Sequence, residues 1–261
     1  MQKQINGIKN RKNEGISADC LKVIAMVTMV IDHTGAVLFP QQELWRVIGR
    51  IAFPIYVWLL IMGFVHTSSV QRYIGRMAVF SLISEIPFDL ALAGTICTFR
   101  WQNVFWTLTI SLLMLAALKK VLDQMQDERA GGRGNIVLKT ALIILLTMAL
   151  SEWLHFDYGA AGPALAAVFY FYARYQRPSL LTGFCLFCLA FLMDPVLNGN
   201  AGSTLAWYYA VASISSECFG ILAIPVISRY NGIRKWKRGK YFFYLFYPLH
   251  LLILYGLAMV R

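Results

Sequence analysis

Charge is scarce in this 261-residue chain: Asp, Glu, Lys and Arg make up 14% of it, against about 25% in a soluble domain. Only five cysteines are present, set in apolar surroundings, which excludes a small disulfide scaffold. The four histidines have no zinc-ligand spacing, so no metal site is expected. Cys185 and Cys188 have CxxC spacing but stand mid-run without a second pair, and read as apolar filler. A Gly-rich nucleotide loop and a Gly-x-Ser-x-Gly elbow are both missing. So is an internal repeat, and with it the inverted-repeat signature of many secondary transporters. The apolar runs do not alternate with period two, which excludes a membrane β-barrel.

Hydrophobic residues, by contrast, make up 58% of the chain. They come in blocks near the ~20 residues that cross ~30 Å of hydrocarbon. Nine spans are expected, at roughly 18–39, 47–66, 74–93, 103–118, 136–153, 159–174, 179–194, 204–227 and 241–259. The eighth contains Gly220 and Pro225 and would make ten if split. The fold class is therefore an all-α, polytopic membrane helical bundle. A single domain 1–261 is expected, with a tail at 1–16, a Gly-containing loop at 119–135 and a basic loop at 228–240. The polar, basic tail before a long apolar run reads as an uncleaved anchor, since no Ala-x-Ala site follows. Ser17 is placed to cap the first helix.

The net charge is +11, and its distribution assigns its meaning. Nineteen of the 24 basic residues fall in the tail and in alternate loops. The positive-inside rule then puts the N-terminus in the cytoplasm and, with nine spans, the C-terminus outside. The charge is thus a topology signal, and nucleic acid is not an expected partner. A bacterial-type inner membrane, crossed many times, is the expected location.

Ionisable residues inside spans cost roughly 2.5–3.5 kcal/mol each on insertion scales, and mark a protein interior or a wet cavity. Asp32 and His33 lie in the outer half of span 1. Arg46 and Arg50 share a face at the start of span 2, as do Glu85 and Asp89 around Pro87 in span 3. Asn103 opens span 4, and Glu152, His155 and Asp157 follow at the end of span 5. Groups of both signs at one depth point to a polar cavity opening outward. The plain alternative is an ion-pair network joining the arginines to Glu85 or Asp89. Glu217 and His250 read as lying deeper. His66 reads as a structural histidine, and the aromatic residues of 241–255 as mostly lipid- or core-facing. Lys22 and His33 are eleven residues apart, so they share a helix face and stand ~16 Å apart. That geometry suits a tunnel for a long ligand with an anionic head.

These residues also carry a resemblance. Leu21-Lys22-Val23-Ile24-Ala25-Met26, Met29-Val30-Ile31-Asp32-His33-Thr34-Gly35 and Ile48-Gly49-Arg50-Ile51-Ala52-Phe53-Pro54 are followed by Gly63-Phe64-Val65-His66-Thr67 and Tyr73-Ile74-Gly75-Arg76. Then come Ile83-Ser84-Glu85-Ile86-Pro87-Phe88, Asn103-Val104-Phe105-Trp106-Thr107-Leu108, Asp157-Tyr158-Gly159, Tyr230-Asn231-Gly232 and Phe246-Tyr247-Pro248-Leu249-His250-Leu251. In this order they resemble the TraX family of conjugal-pilin acetylases, nearly end to end. That family looks distantly related to the wider transmembrane acyltransferases, whose first span carries Arg-x10-His with an essential histidine. Here Lys22 replaces the arginine ahead of His33, which keeps the charge and loses the bidentate fork.

The resemblance implies acetyl-CoA as donor on the cytoplasmic side. It also implies an exported acceptor on the outer side, such as the amine of a peptide or pilin, or a hydroxyl. His33 is the expected general base, with Asp32 beside it, and transfer through acetyl-His33 is equally compatible with the sequence. Arg46, Arg50, Glu85, Asp89, Asn103, Asp157 and His250 are candidates to bind the acceptor or the oxyanion. Lys22, Arg72, Arg76, Lys237, Arg238 and Lys240 are candidates for the donor's phosphates. The rival classes are a small-molecule or lipid transporter or flippase, and a non-catalytic factor for filament assembly.

Overall fold

A computed structural model describes residues 15–124, 133–197, 200–234, 236 and 240–261, and these are helical with no β-strand among them. The tail basic residues, Arg129, Lys235, Lys237 and Arg238 lie outside the described residues. Among the described residues, six helical stretches are long and apolar enough to cross a membrane, and mark the chain as a membrane protein: Ala18–Leu38, Glu43–His66, Val104–Asp123, Gly134–Trp153, Thr204–Ser228 and Tyr241–Val260. The other three expected spans fall short of that standard. Val70–Ala93 is long but carries Arg72, Arg76, Glu85 and Asp89, while Ala161–Tyr175 has 15 residues and Leu180–Ala190 has 11.

Helix α1 (Ala18–Leu38) starts where Ser17 Oγ accepts from Cys20 N at 3.2 Å. Its entry is fixed by backbone bonds to residues 229–233. Ile16 N donates to Arg229 O at 2.8 Å, Asn231 N to Ile16 O at 3.1 Å and Ala18 N to Ile233 O at 2.8 Å. Gly15 has φ 131°, and a Cβ there would meet Arg229 O at 2.6 Å, so only glycine fits this approach.

The expected second span is two helices, α2 (Glu43–Gly49) and α3 (Ala52–His66), which places Arg50 at the junction. A Cβ on Gly49 would run into the Asp32 side chain; the bare backbone lets α2 lie against α1. Helix α3 is apolar all round, which is the pattern of a buried helix. Phe53, Ile55, Val57, Trp58, Leu60, Ile61 and Phe64 are all buried. Around it stand α1, α5 (Val104–Asp123) and α7 (Ala161–Tyr175), while α4 (Val70–Ala93) packs on α5 and α12 (Lys240–Val260) closes against α1 and α4. Pro87 lacks an N–H yet lies within α4, which continues past it to Gly94, a left-handed cap at φ 67°.

α6 (Arg133–Trp153) follows α5, and α8 (Leu180–Ala190) follows α7. A 3₁₀ turn and α9 (Asp194–Leu197) lead from α8 towards the eighth span. That span is α10 (Thr204–Glu217), a 3₁₀ turn Cys218–Leu222 and α11 (Ala223–Ser228), joined without a gap. The turn brings Gly220 to the α2–α3 junction, where a Cβ would stand 3.1 Å from Arg50 O. Helix α5 runs on to Asp123, so Lys119 and Lys120, expected in the loop at 119–135, are helical; residues 125–132 of that loop lie outside the described residues.

Candidate active site

Three cavities follow one another along one face of α1. The first, about 430 Å³, is lined by Ala18 and Lys22 with His66, Arg76 and Arg234 among others. It shares Lys22, Leu59, Tyr73, Phe243 and Tyr244 with a second of about 150 Å³, whose wall is otherwise apolar. That neck shares Met29, Tyr56, Val104 and Tyr247 with a third of about 70 Å³. The third is the chamber, lined by Asp32, His33, Arg46, Arg50, Asp157 and Tyr158. On α1, Lys22, Met29 and His33 fall at i, i+7 and i+11, a single stripe.

In the chamber, His33 Nδ1 stands 2.6 Å from His250 Nε2, with the rings nearly parallel. His250 Nδ1 lies 2.9 Å from Phe246 O, one turn back on α12. A carbonyl only accepts, so Nδ1 of His250 carries its proton. With His250 neutral, its Nε2 is an acceptor, and Nδ1 of His33 must donate to it. Nε2 of His33 is then the unprotonated nitrogen of the ring that lines the cavity, which is what a general base requires.

Both arginines around His33 are paired with carboxylates. Arg46 Nη1 meets Asp32 Oδ2 at 2.6 Å, while Asp32 Oδ1 is buried with no hydrogen-bond partner among the described residues. Arg50 Nη1 meets Glu217 Oε1 at 2.7 Å, and Arg50 Nε donates to Ser216 Oγ at 3.1 Å. Glu217 and His250, expected deeper, therefore stand at the level of the chamber. Asp157 is held by its backbone: its N–H donates to Gln102 O at 3.0 Å, and Gln102 N donates to His155 O at 2.9 Å. Tyr158 next to it stacks on Phe53 with ring centroids 3.5 Å apart.

The arginines pair with Asp32 and Glu217, not with the acids of α4. Glu85 instead accepts from Trp106 Nε1 at 2.8 Å and from Asn103 Nδ2. Asn103 also caps α5, accepting from Phe105 N at 3.0 Å, and donates to Ser81 O. Asp89 Oδ2 accepts from Thr98 N at 2.8 Å and organises the loop after α4. Glu85 and Asn103 thus tie α4 to α5, Asp89 ties α4 to its following loop, and none of the three is among the residues lining the chamber. Glu152 accepts from Ala160 N at 2.7 Å, and His155, exposed with φ 54°, serves the turn through its backbone.

At the other end, Lys22 Nζ lies 3.3 Å from Asp19 Oδ1 and 4.6 Å from the centre of the Phe243 ring. Asp19 also accepts from Trp236 N at 2.8 Å. Arg76 and Arg234 line the 430 Å³ vestibule, whereas Arg72 is exposed outside it. Lys240 opens α12 by its backbone. His66 Nδ1 bonds Met62 O at 2.7 Å, a satisfied histidine at a helix end.

Sequence reasoning overlooked Arg234, Asp19, Tyr56 and Tyr247. Arg234 lies in a basic loop with five other cations and nothing local distinguishes it. Asp19 is three residues before Lys22, a spacing that could have flagged the pair. Tyr247 sits among aromatics read as lipid- or core-facing, yet it packs edge-on to His33 with centroids 5.9 Å apart and walls both neck and chamber.

Residues 17–258 match the family model described as TraX protein. The chain is 28% identical over 263 residues to the probable fimbrial assembly protein FimC, serogroup H1, of Dichelobacter nodosus, covering 95% of this chain and 98% of that one. It is 27% identical over 247 residues to protein TraX of Escherichia coli, covering 92% and 87%. No solved structure matches it. A family model spanning nearly the whole chain, together with full-length relatives, leads to one conclusion: this chain belongs to the TraX family.

Proposed function

We propose that the chain is a membrane-embedded acetyltransferase. In this reading nine spans leave the N-terminus in the cytoplasm of a bacterial cell, and the vestibule opens towards acetyl-CoA. The chamber receives an exported acceptor, an amine or hydroxyl of a peptide such as a fimbrial or pilus subunit. The observation that supports this most is the file of three cavities from Lys22, Arg76 and Arg234 to His33. Cations suit the nucleotide phosphates, an apolar neck suits the thioester arm, and a base waits at the end.

The residues divide the work. Arg76 and Arg234 bind phosphate, with Lys22 further in. His33 Nε2 takes the proton of the acceptor as its nitrogen or oxygen attacks the thioester carbonyl. Arg46 or Arg50 stabilises the developing oxyanion. As the tetrahedral intermediate collapses, the carbon–sulfur bond breaks and the proton passes from His33 to the departing thiolate. His250 is a positioning residue that holds the tautomer of His33.

Assembly without catalysis is the second reading, favoured by the fimbrial assembly name of one relative. Mass spectrometry of exported filament subunits, from cells with and without the active protein, separates the two. The enzyme adds one acetyl group; identical masses support the assembly factor.

A further inference from the structure

The chamber is much smaller than the vestibule that leads to it, about 70 against about 430 Å³. A cavity needs about 10–15 Å³ to hold one water, so the chamber has space for only a few small groups. An acetyl group and the acceptor's reacting atom must share it, and each methylene beyond acetyl must find space against its lining.

The apolar residues that line the chamber and not the neck are Ala52, Phe53, Phe88 and Leu92. This wall has little room to give. Phe53 is buried, held by Tyr158 on one ring face and near Phe187, 6.0 Å between centroids. Phe88 is 5% exposed. Gly49 keeps α2 closed on Asp32. Leu92, one turn after Phe88 on α4, is 36% exposed and stands at the edge of this wall.

We propose that Phe53, Phe88 and Leu92 form an acyl-length gauge that restricts transfer to the shortest acyl groups and makes α4 the specificity-determining helix. The proposal rests on the acyl-CoA reading above. It concerns only the chamber, because a longer acyl chain leaves the nucleotide and the thioester arm, and so the vestibule and neck, unchanged.

The test uses full-length protein in lipid nanodiscs with one acceptor peptide and acetyl-, propionyl-, butyryl- and hexanoyl-CoA. Initial rates and thermal stabilisation are recorded for each donor. Wild type is expected to lose about 10-fold or more in kcat/KM between acetyl and butyryl, the discrimination an apolar pocket gives per methylene or two. Phe88→Ala and Leu92→Ala are each expected to raise the butyryl-to-acetyl ratio about 10-fold. Leu92 is partly exposed, so its variant answers the question even where Phe88→Ala fails to fold. Wild type that turns over butyryl- and acetyl-CoA equally, or a ratio unmoved by Leu92→Ala, overturns the gauge and leaves acyl transfer standing. No turnover and no stabilisation with any donor overturns the acyl-transfer reading itself, and the gauge with it.

Discussion

The two ends of the cavity file treat charge in opposite ways. The chamber is lined by two acids and two arginines, Asp32 and Asp157 against Arg46 and Arg50, and Glu217 supports the second arginine from behind. The vestibule is lined by Lys22, Arg76 and Arg234 with no acid among its described lining residues, and Asp19 answers Lys22 from outside the wall. Paired charge in a confined space fixes side chains in place, and suits a site where geometry matters. Surplus charge of one sign in a wider space is completed by a counter-ion, and suits a site that captures an anion.

The largest effect expected separates the ends by chemistry. His33→Ala should lower kcat about 10²–10⁴-fold while stabilisation by acetyl-CoA persists, measured by turnover and thermal shift on one preparation. Next is the cost of unbalancing the chamber. Arg50→Ala leaves Glu217 buried without its partner and should destabilise by about 3–5 kcal/mol. Arg50→Ala with Glu217→Gln should recover part of that loss in a denaturation series. If the single variant is no less stable than the double, the chamber's charges are not coupled as described.

Removing His250 should act more gently than removing His33. His250→Ala lowers kcat and changes its pH profile, with KM for the donor unchanged, since His250 lies against His33, Phe246 and Tyr247 and is not among the residues lining the vestibule or the neck. The smallest effects belong to the vestibule. Arg76→Ala or Arg234→Ala each removes about 1.5–3 kcal/mol of charged hydrogen bonding, raising KM for acetyl-CoA with kcat preserved. Added salt should weaken donor binding in the same direction. A salt effect on kcat alone would erase the contrast between the two ends.

Much of α1 was legible in the sequence, because one helix carries its own ruler: the eleven-residue step from Lys22 to His33 fixes a shared face whatever packs against it. The pairing of charges was not. Arg50 meets Glu217 across 167 positions of sequence, at a place created by the break between α2 and α3 and the 3₁₀ turn after α10. Gly220 and Pro225 marked the second of these irregularities as a possible split of the eighth span, but hydropathy gave no sign of the first and set Glu217 too deep. His250 was misjudged in depth for a related reason: its level depends on how α12 slides along α1. Asn103, Glu85 and Asp89 were visible as polar residues in apolar runs, but that signal is the same for a residue facing a cavity and for one tying two helices together.

The central claim is that His33 is the base of an acetyl transfer fed from the vestibule. Its most direct test is release of free CoA by the purified protein from acetyl-CoA and an acceptor peptide, wild type against His33→Ala. Acceptor-dependent release by wild type, lost in the variant while acetyl-CoA still stabilises both, is the expected result. Equal release by the two proteins would contradict it.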